Sequence, residues 1–130
     1  MKTIKTNYAS SLTQNEETLL LQFTPENNML KAEGESSGDN IFSTYSILAN
    51  KVTNHLKTSD SIDCYFNYTS INGSSVKLLF NLFRKLETAT SSGKNVTVHW
   101  VIENEDDHIY EVGQDLKDLT DLDFRISFAA

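Results

Sequence analysis

Between Ile62 and Leu86 a strand, a tight polar corner and an amphipathic helix follow one another without a gap, and this unit constrains the fold most. From Ile62 to Ile71, Ile62, Cys64, Phe66 and Tyr68 fall on one face and Asp63, Tyr65, Asn67 and Thr69 on the other. That period of two is a half-buried strand. Asn72-Gly73-Ser74-Ser75 forms the corner. From Val76 to Leu86 the period changes, and Val76, Leu79, Phe80, Phe83 and Leu86 make a helical core stripe. Leu78 and Leu82 lie four residues apart on a flank, more apolar surface than one face needs. They imply either a wider buried face or a partner-binding edge.

The rest of the chain repeats this grammar. Thr18 to Phe23 is an apolar run of strand length, Thr24-Pro25-Glu26-Asn27-Asn28 has turn chemistry, and Met29 to Glu33 supplies the second arm of a hairpin. After the polar loop Glu35 to Asn40, residues Ile41, Tyr45, Leu48, Val52 and Leu56 mark a helix from Ile41 to Lys57. Ser91-Ser92-Gly93-Lys94 closes the helix after the corner, with Gly93 suited to a left-handed C-terminal position. Asn95 to Ile102 alternates again. Ile109, Val112, Leu116 and Leu119 mark a third helix, and Asp123 to Phe128 a last strand. The order β-β-α-β-α-β-α-β predicts an α/β fold with βαβ crossovers and a partly parallel sheet. Alternation places Leu19, Leu21, Phe66, Tyr68, Val96, Val98, Trp100 and Ile126 on its buried face.

Residues Met1 to Glu17 are polar and read as a loose leader, which leaves 18–130 as one domain, large enough for a real core. The net charge of −7 argues against a nucleic-acid partner, whose phosphates need a Lys/Arg footprint, and against an anionic membrane surface. No segment approaches a membrane span or a signal-peptide core. The sequons at Asn67, Asn72 and Asn95 are therefore chance matches, and the chain reads as cytoplasmic. Its single cysteine, Cys64, cannot form an internal disulfide and behaves as a small buried apolar residue.

Nothing in the sequence asks for catalysis, a metal or a cofactor. His55, His99 and His108 fall on three different elements, without metal-ligand spacing. The acidic run from Glu103 to Asp107 lacks the glycine and distal glutamate of a calcium loop and suits a helix start. Ser74 has no nucleophile elbow around it, and no nucleotide-binding glycine motif occurs. The corner has a different aptitude. A helix start offers unpaired N–H groups and a positive dipole end, which stabilise an anion, including a phosphate carried on a serine. The plainer reading is that Asn72 or Ser74 caps the helix.

Asn72-Gly73-Ser74-Ser75-Val76-Lys77 ahead of a Leu/Phe-rich helix resembles the Asn-Thr-Ser-Ser-x-Lys segment of the SiaC-type biofilm-regulating phosphoproteins. The loop Gly34-Glu35-Ser36-Ser37-Gly38-Asp39-Asn40 is similar to that family's Gly-x-Ser-Tyr-Pro-Glu-Asn loop. Val98-His99-Trp100 and Asp123-Phe124-Arg125-Ile126 resemble two of its strands. The resemblance, from Phe23 to Ala129, implies a STAS-like fold, a central mixed sheet flanked by helices. It also implies a non-enzymatic switch: a kinase phosphorylates the threonine of the corner, a PP2C-type phosphatase reverses this, and the unphosphorylated form binds and activates a diguanylate cyclase. The alternative is a constitutive protein-binding module of the same fold.

The chain departs from the pattern in two places. Gly73 stands in place of the acceptor threonine, and Ser37-Gly38-Asp39 replace Tyr-Pro-Glu. A phosphate would then fall to a neighbour, Ser74 first and Ser75 second, with Gly73 expected to free the backbone for positive φ. The expected partner surface comprises Ser36, Ser37, Gly38, Asp39 and Asn40, the corner Asn72 to Ser75, and the helix edge at Lys77. The expectation rests on functional loops gathering at the carboxyl ends of strands in doubly wound sheets.

Overall fold

Leu19–Thr24 (β1) and Met29–Ser36 (β2) pair antiparallel, from Leu19 opposite Gly34 to Thr24 opposite Met29. A computed structural model describes residues 19–103 and 106–129 of the chain; the expected leader at 1–17 lies outside the described residues. Between the two strands Pro25–Asn27 makes one 3-10 turn, with proline at its start and Asn28 left-handed at φ 53°. His55 Nε2 and the Asn28 side-chain oxygen lie 2.8 Å apart, tying this turn to the helix that follows.

From β2 onward every connection is a crossover. Ile41–Thr58 (α1) leads to Ser61–Ile71 (β3), Gly73–Ser91 (α2) to Asn95–Ile102 (β4), and Asp107–Leu119 (α3) to Asp123–Phe128 (β5). The sheet order is β1-β2-β3-β4-β5, with β2 to β5 all parallel. The expected element order and mixed sheet are the ones observed. A register shift between Gly34 and Glu35 bends the end of β2, and the φ of 122° at Gly34 is one that L side chains rarely adopt.

Strands added in chain order by crossovers of one hand keep their helices on one side of the sheet. The side chains show this directly. Phe66 and Tyr68 of β3 share a face with Trp100, which is opposite Phe66 in register. On that face the Tyr45 hydroxyl of α1 meets that of Tyr68 at 2.8 Å, and Phe83 of α2 packs edge-on to Phe66. Trp100 Nε1 donates to the Ile109 carbonyl of α3 at 3.0 Å. All three helices therefore cover one face, and the sheet has no reversal of strand order. The doubly wound arrangement invoked for the partner surface is not what forms.

Among the described residues no helix covers the opposite face. The cross-strand row Lys31, Tyr65, His99 and Arg125 runs over it. Tyr65 and His99 stack with ring centroids 4.1 Å apart, and His99 Nε2 lies 2.9 Å from Asp63. Of the residues placed on the buried face by alternation, Leu19, Phe66, Tyr68, Val96, Val98 and Trp100 are buried. Leu21 and Ile126 are half-buried and packed against the core.

Candidate functional site

Asn72 ends β3 in an extended conformation and caps α2. Its side-chain oxygen accepts the Ser75 N–H at 2.9 Å and its carbonyl accepts the Val76 N–H at 3.1 Å. The helix thus begins at Gly73, three residues earlier than the apolar stripe indicates, and runs to Ser91 rather than Leu86. Gly73, Ser74 and Ser75 are its first turn. The positive φ expected of Gly73 does not occur: the left-handed glycines are Gly34, Gly38 and Gly93. A Cβ at position 73 would meet nothing within 4 Å.

The two serines differ. Ser74 is exposed at the helix start. Ser75 is fully buried, and its hydroxyl donates to the Ser36 carbonyl at 2.9 Å. The same carbonyl accepts the Asn72 N–H at 3.2 Å. The corner is therefore joined directly to the end of β2. Ser36, expected on the partner surface, is also fully buried: its hydroxyl sits 2.7 Å from that of Tyr45. Tyr45 and Tyr68 continue the chain inward. Burial raises the pKa of both phenols, that of Tyr45 against the lowering effect of its bonds to Ser36 and Tyr68.

Beyond Ser36 the loop turns outward. Ser37 donates to Glu35 at 2.8 Å, Gly38 has φ 95°, and Gly38 and Asp39 are exposed. Asn40 starts α1 with its carbonyl, which accepts both the backbone N–H and the hydroxyl of Thr44 at 3.0 Å. Two residues later Phe42 is 67 % exposed, the most exposed large hydrophobic side chain among the described residues. The helical spacing of α1 placed it off the buried stripe, and nothing else in the sequence marked it.

On the flank of α2, Leu78 is half-buried and packed against the core, as a wider buried face requires. Leu82 is buried in the core, while Val76 and Phe80 are half-buried. With Lys77, Asn81, Leu116 and Leu119 they line an apolar groove of about 340 Å³ between α2 and α3. Lys77 is its one charged lining residue, and the Arg84 guanidinium lies over the Phe80 ring at 4.6 Å. Asp106 caps α3 by accepting the Ile109 N–H at 3.0 Å, which fits the acidic run at this helix start. In the first turn of α3, His108 Nε2 donates to the Ile71 carbonyl at 3.3 Å, so the start of α3 also gathers at the corner. Its role was invisible in the sequence because it depends on a contact 37 residues away.

The chemistry available here is recognition. None of the three histidines bonds to Ser74 or Ser75: His55 is held by Asn28, His99 by Asp63 and His108 by Ile71. Cys64 is buried, and desolvation pushes its thiol up to about 12, far from the thiolate range that reactive cysteines use. Among the described residues no cluster of three His, Cys, Asp or Glu could hold a metal ion, and no helix is long and apolar enough to cross a membrane.

Residues 12–128 match the family described as SiaC family regulatory phosphoprotein. A comparison with curated proteins yields no match. Among solved structures, the fold is similar to that of one chain in the crystal structure of the diguanylate cyclase SiaD in complex with its activator SiaC from Pseudomonas aeruginosa, with a TM-score of 0.80 at 18% identity over 89% of this chain and 96% of that one. SiaC of Pseudomonas aeruginosa follows at TM-score 0.78 and 18% identity, over 91% and 96% of the two chains. Apo-SiaC from the same organism gives 0.75 and 17%, over 89% and 95%.

Proposed function

We propose, since the chain belongs to the SiaC family of regulatory phosphoproteins, that it is a non-enzymatic cytoplasmic regulator that binds and activates a diguanylate cyclase. The similarity to a chain of the complex between the cyclase SiaD and its activator SiaC supports that class of partner. The observation that carries the reading is the corner itself. A capped helix start presents Ser74 to solvent, and the buried Ser36 joins it to the Ser37 to Asn40 loop. A kinase would place its phosphate on Ser74, where helix N–H groups and the dipole favour an anion, and a PP2C-type phosphatase would remove it. Ser75 drops out as acceptor because its oxygen is enclosed and already bonded. The added charge of about −1.5 to −2 would then repel an acidic partner segment or reorder the loop.

A second reading is favoured by Gly73. With no hydroxyl at the family's acceptor position, the chain would act as a constitutive binding module. One assay separates the two: incubation with a co-encoded kinase and ATP, followed by intact-mass and phosphopeptide analysis. A single phosphate on Ser74, absent from Ser74→Ala, supports the switch. An unmodified chain that still activates the cyclase supports the constitutive module. Failure to bind or activate any co-encoded cyclase overturns both.

A further inference from the structure

We infer that Ser75 and Tyr45 are positioning residues that lock the corner and the Ser37 to Asn40 loop into a single recognition surface, with Ser36 as the shared hinge point. This rests on the reading of those two segments as the partner surface, and it adds how they are held in register. Ser36 is hydrogen-bonded to both sides of the lock. Its carbonyl receives the Asn72 N–H at 3.2 Å and the Ser75 hydroxyl at 2.9 Å, both from the corner. Its hydroxyl faces Tyr45 at 2.7 Å, and Tyr45 faces Tyr68 at 2.8 Å, so the line of hydroxyls ends in the sheet core.

The geometry makes the lock cooperative. A hydroxyl that accepts one bond and donates another polarises both, so losing the middle member disturbs the two ends. Tyr45 is that middle member. Ser36, Tyr45 and Tyr68 are each nearly or fully buried, so water cannot replace a missing partner without opening the packing. Just upstream, the register shifts at Gly34/Glu35, and the ladder resumes beyond it with Glu35 opposite Ser70 and Ser36 opposite Ile71. The side-chain bonds add to the sheet in fixing Ser36 and tie its position to the corner. A partner or a phosphate that moves Ser74 must drag the Ser36 carbonyl, and with it the loop that begins at Ser37. Signals run the other way too, by reciprocity of coupling.

The test uses the free, full-length chain, with amide hydrogen exchange read residue by residue for wild type, Ser75→Ala, Tyr45→Phe and the double variant. Tyr45 makes no contact with the corner through its hydroxyl. Even so, Tyr45→Phe is expected to speed exchange at the Asn72 and Ser75 amides by about fivefold, the size of one neutral hydrogen bond. Ser75→Ala is expected to speed exchange at Asn40 and Thr44 similarly, and the double variant to fall short of the summed effects. Throughout, the amides of β4 should keep wild-type rates. Two results overturn the inference: strictly local effects, or an equal acceleration at every amide, which is simple loss of stability. Should Tyr45→Phe not fold, Tyr68→Phe cuts the line one step further in and should give a smaller effect at the same amides. Because no partner enters the experiment, a locked surface that binds no cyclase would leave this inference standing while sinking the proposed function.

Discussion

Gly73 shows how little a single backbone position can reveal until its conformation is known. It lacks a positive φ and would place a Cβ in open space, so glycine is a free choice there. Gly73→Thr is expected to fold with an unchanged or slightly higher Tm, because a side chain restricts the unfolded chain at no cost in strain. Melting should show a shift of no more than a few degrees, and a large loss would mean the corner is not helical at this position. The same variant restores a hydroxyl where the family carries its threonine, so intact mass after kinase treatment should rise by one phosphate. Tyr45→Phe belongs to the opposite class. It removes the central hydroxyl of a buried line and leaves Ser36 and Tyr68 short of a partner, which is expected to cost about 1–3 kcal/mol. Ser75→Ala leaves the Ser36 carbonyl its bond from Asn72 and should cost about 1 kcal/mol or less by urea denaturation. At the surface, Lys77→Glu reverses the one charge lining the groove. It should weaken cyclase binding in titration calorimetry while leaving Tm within a degree or two of wild type. Normal affinity would place the partner surface elsewhere.

Among the elements, helix phase was the hardest to read. In α2 the sequence offers seven large apolar residues in eleven positions, so stripes centred on Val76 and Phe80 or on Leu82 are nearly equivalent. In the fold Leu79, Leu82, Phe83 and Leu86 are the buried set, and Phe83 packs edge-on to Phe66 of β3 and Phe124 of β5. The strands were legible because a period of two leaves no such ambiguity. The corner was legible as a cap, while the burial of Ser36 and Ser75 was not, since it arises from a meeting 39 residues apart. Gly113 of α3 is a further case that local pattern cannot show. A Cβ there would stand 2.3 Å from Trp100 Nε1, and that indole nitrogen is the donor to the Ile109 carbonyl. Close approach of helix backbone to ring requires glycine. Gly113→Ala must displace α3 or the indole, and is expected to destabilise by about 1–3 kcal/mol. Tryptophan fluorescence should shift to the red as the ring loosens. An alanine variant with wild-type stability and spectrum would mean α3 sits farther from the sheet.

At the scale of the whole molecule, the described helices all lie on one face of the sheet, and the parallel strands already carried the sign. Parallel sheets covered on both faces read as continuous apolar runs, whereas β3 and β4 alternate. Alternation in strands joined by crossovers therefore implies helices on a single face, a consequence that element order alone does not give. One thick layer holds the core, and pH acts on it from opposite sides. At the periphery, Glu87 is held below its ordinary pKa chiefly by the Asp121 backbone N–H, with Arg84 adding to it, and Asp123 is lowered chiefly by Arg125. Groups whose folded pKa is depressed stabilise above the unfolded value and lose that contribution as pH falls through the carboxylate range. The Asp123–Arg125 pair is exposed and Glu87 is half-buried beside an exposed Arg84, so the acid limb should be shallow. In the interior, burial raises Tyr45 and places Tyr68 well above the ordinary phenol value of 10.0. A raised folded pKa contributes stability that is complete below the unfolded value and is lost as pH rises beyond it, because the unfolded phenols ionise while the buried ones do not. The expected profile of urea midpoints is flat from about pH 6 to 9, then falls steeply above about pH 10. The double variant Tyr45→Phe/Tyr68→Phe should start lower at pH 7 and lose less on the way to pH 11, since two of the ionising groups are gone. Parallel alkaline limbs in the two proteins would show that the hydroxyl line is hydrated in solution and does not anchor the corner to the core.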